Sequence, residues 1–157
     1  YNADTLSQIL QRSSHLLGVQ LEEAASLEIG KRSRGTPRIA NNLLRWVRDV
    51  SQIQQRKIVD LALAKEALDL LAIDEKGLDE MDKKILSVMI DHHKGGPVGL
   101  TNLAAAVGEE PHTLEEVYEP FLILQGFIRR TPRGREATEL AYEHIGRPLP
   151  QTDPEFL

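Results

Sequence analysis

Apolar residues recur every three or four positions through the first half of the chain, which predicts amphipathic helices in succession. Leu6, Ile9, Leu10, Leu16 and Leu17 mark a helix from Asp4 to Leu17, and Gly18 follows where a left-handed residue would stop it. Leu21, Ala24, Ala25, Leu27 and Ile29 mark a second, whose basic end Lys31-Arg32-Ser33-Arg34 suits the negative pole of a helix dipole before Gly35. Thr36-Pro37, a capping residue followed by proline at the first helical position, starts a third helix. It turns Ile39, Ala40, Leu43, Leu44, Val47 and Val50 inward and Arg38, Arg45 and Arg48 outward. After a polar connection from Gln52 to Lys57, Asp60 caps a fourth helix with Leu61, Leu63, Ala64, Ala67, Leu68 and Leu71 on its buried side.

Asp74-Glu75-Lys76-Gly77 is a short charged break, and the pattern then restarts. Asp79 caps a helix bearing Met81, Ile85, Leu86, Val88, Met89 and Ile90, which Gly95-Gly96-Pro97 ends. A very short helix with Leu100, Leu103, Ala104 and Val107 stops at Gly108, and Thr113 to Glu116 reads as the capping box of a longer one. Pro120 removes a backbone donor inside that helix and should bend it. Phe127 to Thr131 reads as a strand, Pro132-Arg133-Gly134 as a turn, Arg135 to Thr138 as the return strand, and Glu139 to Ile145 as a last helix. The expected architecture is mainly α: a four-helix unit over residues 1–75, a winged helix of helix-turn-helix plus β-hairpin over 76–147, and a mobile tail over 148–157.

Composition narrows the function. With no Cys there is neither a disulfide framework nor a thiolate metal site. No apolar run approaches the roughly 18–20 residues that span a bilayer, and Tyr1-Asn2-Ala3-Asp4 lacks the form of a signal peptide, so a cytoplasmic setting is expected. The first residue is not Met, which reads as an excised fragment of a longer protein. A net charge of -5 argues against a generally basic coat for nucleic acid, so any DNA contact must be local.

One local feature qualifies. Arg129-Arg130-Thr131-Pro132-Arg133-Gly134-Arg135 carries four guanidiniums and no acid, whereas from Gly77 onward eight Lys or Arg face fourteen Asp or Glu. Alternation along a strand sends Arg129 and Arg130 to opposite faces, leaving Arg130, Arg133 and Arg135 to converge on a phosphate backbone. The plainer alternative is a charged hairpin that protects a sheet edge. A second feature, Arg34-Gly35-Thr36-Pro37-Arg38, fixes the direction of Arg38 at a helix start, although capped helices with a basic first turn are common. His92 and His93 are adjacent without a third ligand, and His15, His112 and His144 are isolated, so no metal site is expected. Gly30-Lys31-Arg32-Ser33 lacks the earlier glycine of a phosphate loop, and no catalytic constellation is present in this chain. Trp46, beside the apolar stripe of the third helix, is expected to pack in the core or at a domain contact.

Arg34-Gly35-Thr36-Pro37-Arg38-Ile39-Ala40-Asn41, together with Gln125-Gly126-Phe127 and Arg130-Thr131-Pro132-Arg133-Gly134-Arg135, resembles the bacterial RuvB family. The intervening blocks Gly77 to Asp82, Gly95 to Leu100 and Glu116 to Pro120 resemble it in order and spacing, so the likeness covers nearly the whole chain. It implies the lid and winged-helix domains of an AAA+ ATPase that drives Holliday-junction branch migration in recombination, DNA repair and the SOS response. It further implies a homohexamer that works with RuvA and RuvC, with the RuvA contact and the Mg-ATP site mainly on a domain this chain lacks. Carried over residue by residue, Tyr1 would lie near the nucleotide base, Arg38 would face the phosphates, and Arg130, Arg135 and Arg133 would touch DNA. Pro111 stands where some relatives have a basic residue, and Asn42 and Trp46 stand where Arg is frequent. A winged-helix regulator or interaction module without a motor, and a purely structural oligomerisation piece, are the rival readings. A regulator would need base discrimination from side chains such as His112, Thr113 or Glu116, which are poor readers of guanine.

Overall fold

The computed structural model describes residues 1–150, which divide into two compact units, the first ending at Glu80 and the second beginning at Met81. Most of the tail expected over 148–157 lies outside the described residues. No helix among the described residues is long and apolar enough to cross a membrane.

The first unit holds α1 (Ala3–Leu17), α2 (Glu23–Lys31), α3 (Pro37–Ile53) and α4 (Leu61–Asp69). Its helix ends are written locally in the sequence. The Asn2 side chain accepts from the Thr5 amide, Thr36 from that of Ile39 ahead of Pro37 at the start of α3, and Asp60 from that of Leu63. Gly18 stops α1 at φ 69°, in the left-handed region. Leu6, Leu10, Ile29, Leu44, Leu63 and Leu68 interlock in a core without solvent access, each contributing about 1.5–3 kcal/mol by burial. Trp46 packs against this core and its indole N–H donates to the Ala67 carbonyl of α4 at 2.7 Å.

Four details differ from the periodic reading. Leu16 is exposed because it points off the buried stripe of α1. Leu71 is also exposed, because α4 ends at Asp69 before the stripe reaches it. Leu21 belongs not to α2 but to a two-residue strand, β1 (Gln20–Leu21), paired in parallel with β2 (Ile58–Val59). So short a pairing leaves no alternation to read. The basic end of α2, finally, does not all face solvent. Arg32 is buried and meets Glu28 at 3.0 Å, Asp69 at 2.9 Å and the Ile73 carbonyl at 2.8 Å. Burial pulls the Arg32 pKa down, but the hydrogen bonds to Asp69 and Glu28 outweigh it and raise the pKa above the ordinary value.

Arg34, at φ 56°, donates to the Gly77 carbonyl at 3.2 Å. Asp74 folds the connecting loop on itself, its carboxylate accepting from the amides of Lys76 and Leu78 at 2.9 Å each. Arg32 and Arg34 together fasten this loop to the residues that lead into α3.

In the second unit, α5 (Glu80–His93) and α6 (Leu100–Val107) precede a longer helical stretch. That stretch comprises α7 (Pro111–Thr113), a π-helical segment Leu114–Tyr118, and α8 (Glu119–Leu124). A hairpin of β3 (Ile128–Thr131) and β4 (Gly134–Ala137) follows, then α9 (Glu139–His144). The capping box expected at Thr113 is absent: Thr113 is already helical, and the stretch starts at Pro111, which suits a first-turn position. Pro120 distorts the helix as expected, and the distortion takes the form of a π turn in which the Glu119 amide donates to Leu114 O, five residues back.

Arg32 generates a stability prediction. Arg32→Ala leaves the Glu28 carboxylate buried without its partner, which should cost about 3–5 kcal/mol. Urea unfolding monitored at Trp46 measures it, and a loss below about 1 kcal/mol would mean that water replaces the guanidinium freely.

Candidate functional site

The hairpin is a wing of three strands, the third contributed by a single residue. Ile128 pairs with Ala137, Arg129 with Glu136, Arg130 with Arg135 and Thr131 with Gly134. Val98 adds an antiparallel bridge to Arg135, its amide donating to the Arg135 carbonyl at 3.0 Å and its carbonyl accepting from the Arg135 amide at 2.8 Å. The Ala137 amide donates to the Gly95 carbonyl at 2.8 Å. Gly96 and Gly134 permit this approach. A Cβ on Gly134 would stand 2.5 Å from the Val98 carbonyl oxygen, and one on Gly96 would collide with that of Arg135.

The register puts two like charges, Arg130 and Arg135, directly opposite one another. On its own this is unfavourable. A carboxylate from another element resolves it: Glu119, at the start of α8, has no solvent exposure. Its Oε1 accepts from Arg130 Nε at 3.1 Å and Nη2 at 2.9 Å, and its Oε2 accepts from Arg135 Nε at 2.8 Å. Glu115 approaches Arg135 Nη2 at 4.0 Å. Half of the Arg130 side chain stays exposed but only 16% of Arg135. On the opposite face Arg129 pairs with Glu136 at 3.2 Å. Arg133 is exposed at the tip, where the Thr131 hydroxyl accepts from its amide at 3.3 Å and donates to the Gly134 carbonyl at 2.9 Å.

The acid-free run read along the sequence is therefore not an unpaired basic island. Glu119 reaches it from eleven and sixteen residues away. Sequence reasoning missed Glu119 because the π turn decides where it points. At α-helical spacing Tyr118, four residues after the buried Leu114, would face inward; the π turn gives that place to Glu119 and leaves Val117 55% exposed. The available signal was an acid next to a proline that was bound to disturb the helix.

In the first unit, Arg38 is exposed in the first turn of α3, directed by the Thr36 cap. Tyr1 is 74% exposed. Its carbonyl lies 3.5 Å from the position a Cβ on Gly35 would take, which brings the start of the chain beside the turn that leads to Arg38. Among the described residues no group of three or more His, Asp or Glu is gathered as a metal site.

A four-helix lid followed by a winged helix with an arginine-bearing wing defines the class of this chain as the lid and winged-helix portion of an AAA+ protein. Residues 1–74 match the family described as the RuvB AAA lid domain, and residues 75–146 match the RuvB C-terminal winged helix domain. The chain belongs to the RuvB family. It is 61% identical over 145 residues to the Holliday junction branch migration complex subunit RuvB of Protochlamydia amoebophila, covering 92% of this chain and 44% of that protein. The subunit of the same name from Parabacteroides distasonis is 58% identical over 147 residues, covering 94% and 43%. Among solved structures, the Thermotoga maritima RuvB Holliday junction branch migration motor superposes with a TM-score of 0.92 at 46% identity, covering 96% of this chain and 50% of that one. The chain thus spans less than half the length of these curated relatives.

The packing of the wing generates a prediction. Gly134→Ala, at φ 135° and against Val98, should destabilise the second unit by about 1–3 kcal/mol. Amide exchange across β3 and β4 reads the effect, and unchanged protection there would show that the wing does not need this close approach.

Proposed function

We propose that this chain is the lid and DNA-gripping part of an ATP-dependent motor that drives branch migration of Holliday junctions. Arg38 would face the nucleotide phosphates and Tyr1 the base. A separate domain would supply the phosphate loop and hold Mg, and ATP bound there would supply the free energy of the cycle. On this reading the 157 residues alone turn over no ATP. The lid passes nucleotide-driven movement to the winged helix, and the wing, through Arg130, Arg135 and Arg133, holds a duplex arm of the junction. The whole protein would act in the cytoplasm as a homohexamer with RuvA and RuvC.

The observation that carries the reading is the convergence of Arg130 and Arg135 on one face of the wing, with Arg133 at its tip. Three guanidiniums there suit phosphates, and contacts to phosphate carry no base code, as a motor that moves along any sequence requires. A sequence-specific regulator would instead need base readers on the helix of the second unit, where the exposed groups include His112 and Glu116, paired at 3.2 Å.

Duplex affinity measured against salt concentration tests this. Each phosphate contact contributes roughly 0.9 to the slope of log affinity against log salt, so the Arg130→Ala, Arg135→Ala double variant should lose close to two units and bind every duplex more weakly. An unchanged slope removes the wing from the mechanism. A wild-type preference of more than about a hundredfold for one of several unrelated duplexes would favour the regulator.

A further inference from the structure

We propose that Glu119 is a positioning residue of the DNA grip, holding Arg130 and Arg135 by their inner edges so that their remaining N–H groups are presented together to phosphate. The proposal rests on the reading of the wing as the DNA contact.

Glu119 is fully buried and takes up both of its oxygens on the two arginines. It engages Nε and Nη2 of Arg130 but only Nε of Arg135. Among the described residues, Arg130 Nη1 and both terminal amines of Arg135 have no hydrogen bond of ordinary length. Those are the donors a phosphate oxygen would need. Without Glu119 two long, like-charged side chains opposite one another would swing apart, and bringing them together on DNA would lose the freedom each had gained. The carboxylate also ties the wing to α8, so the direction of both guanidiniums is set by the helical framework as well as by the hairpin. The π turn at Leu114–Tyr118 makes this possible by turning Glu119 inward.

A different role would have the opposite sign. An acid that only neutralised the wing would repel phosphate, and its removal would strengthen DNA binding by raising the local positive charge. Positioning predicts that removal weakens binding although the charge becomes more favourable.

The test compares the full chain with Glu119→Gln, Arg130→Ala and Arg135→Ala for binding of a labelled duplex of arbitrary sequence across a salt series. Glu119→Gln keeps an acceptor for Arg130 but sets an amide donor against Arg135 Nε, so it should weaken binding roughly tenfold and lower the salt slope by about one unit. In the background lacking both arginines the same substitution should change nothing. Equal or tighter binding by Glu119→Gln, while the arginine variants weaken, overturns the positioning role and leaves the DNA-binding reading intact. If the arginine variants also bind normally, the reading of the wing falls and the positioning role with it. Nitrogen-15 spectra of the arginine Nε–H groups keep the question decidable if Glu119→Gln does not fold. In the wild-type chain those of Arg130 and Arg135 should exchange slowly with water and stay in place when duplex is added. Release of either into fast exchange on binding would show phosphate displacing Glu119 and would overturn the proposal.

Discussion

A carboxylate sealed from water needs positive charge and hydrogen bonds in return for its lost hydration, and the second unit is arranged so that Glu119 receives both. Arg130 and Arg135 come from different strands, so the pairing requires the hairpin to close in one register only. The register brings two like charges together, which only an acid between them makes tolerable. The helix and the wing are thereby interdependent. Val98, bridged to Arg135 through the backbone, and the glycines that let the strands approach hold the same arginine from its other side.

The first unit uses the same device for another purpose. Arg32 is enclosed by Glu28, Asp69 and the Ile73 carbonyl, which joins the end of α2 to the end of α4. Removing water from these groups gives little net stability compared with an apolar substitute, but it specifies one arrangement of chain ends. What it specifies is the approach to α3: the segment Arg32 to Gly35 runs from this ion pair into the Thr36 cap, and so settles where Arg38 emerges. In both units a buried arginine contact fixes the place of a more exposed arginine.

Features written in consecutive residues are legible in the sequence alone. Gly18 and Gly108 as helix stops, Thr36-Pro37 and Asp60 as starts, and the opposed directions of Arg129 and Arg130 all depend on local backbone chemistry. The family could be read from motifs in the same way. The misread details depend on partners distant in sequence or on a break in periodicity. Arg32 looks like a solvated helix end until Asp69 and Ile73 are beside it, and the parallel pair of β1 and β2 has no alternation to find. The candidate site was half legible for the same reason. Its arginines stand in one short run, but their counter-ion sits on another element, turned into place by a helical irregularity whose form Pro120 alone does not specify.

That irregularity also bears on which element would hold DNA. In many helix-turn-helix proteins a straight helix enters the major groove and reads bases. Here the corresponding stretch is interrupted by a π turn, carries Glu115 and Glu116 in the first turn of that π segment, and commits Glu119 to the wing. Interrupted and acidic, it is a poor probe of a groove, because each exposed carboxylate facing a phosphate adds repulsion and a Glu finds no donor on the major-groove edge of guanine or thymine. The arginines lie on the wing instead, where on the proposed reading they hold a phosphate backbone. On the proposed reading, a helix that orients two arginines instead of reading bases suits a grip that must be made and released on any sequence.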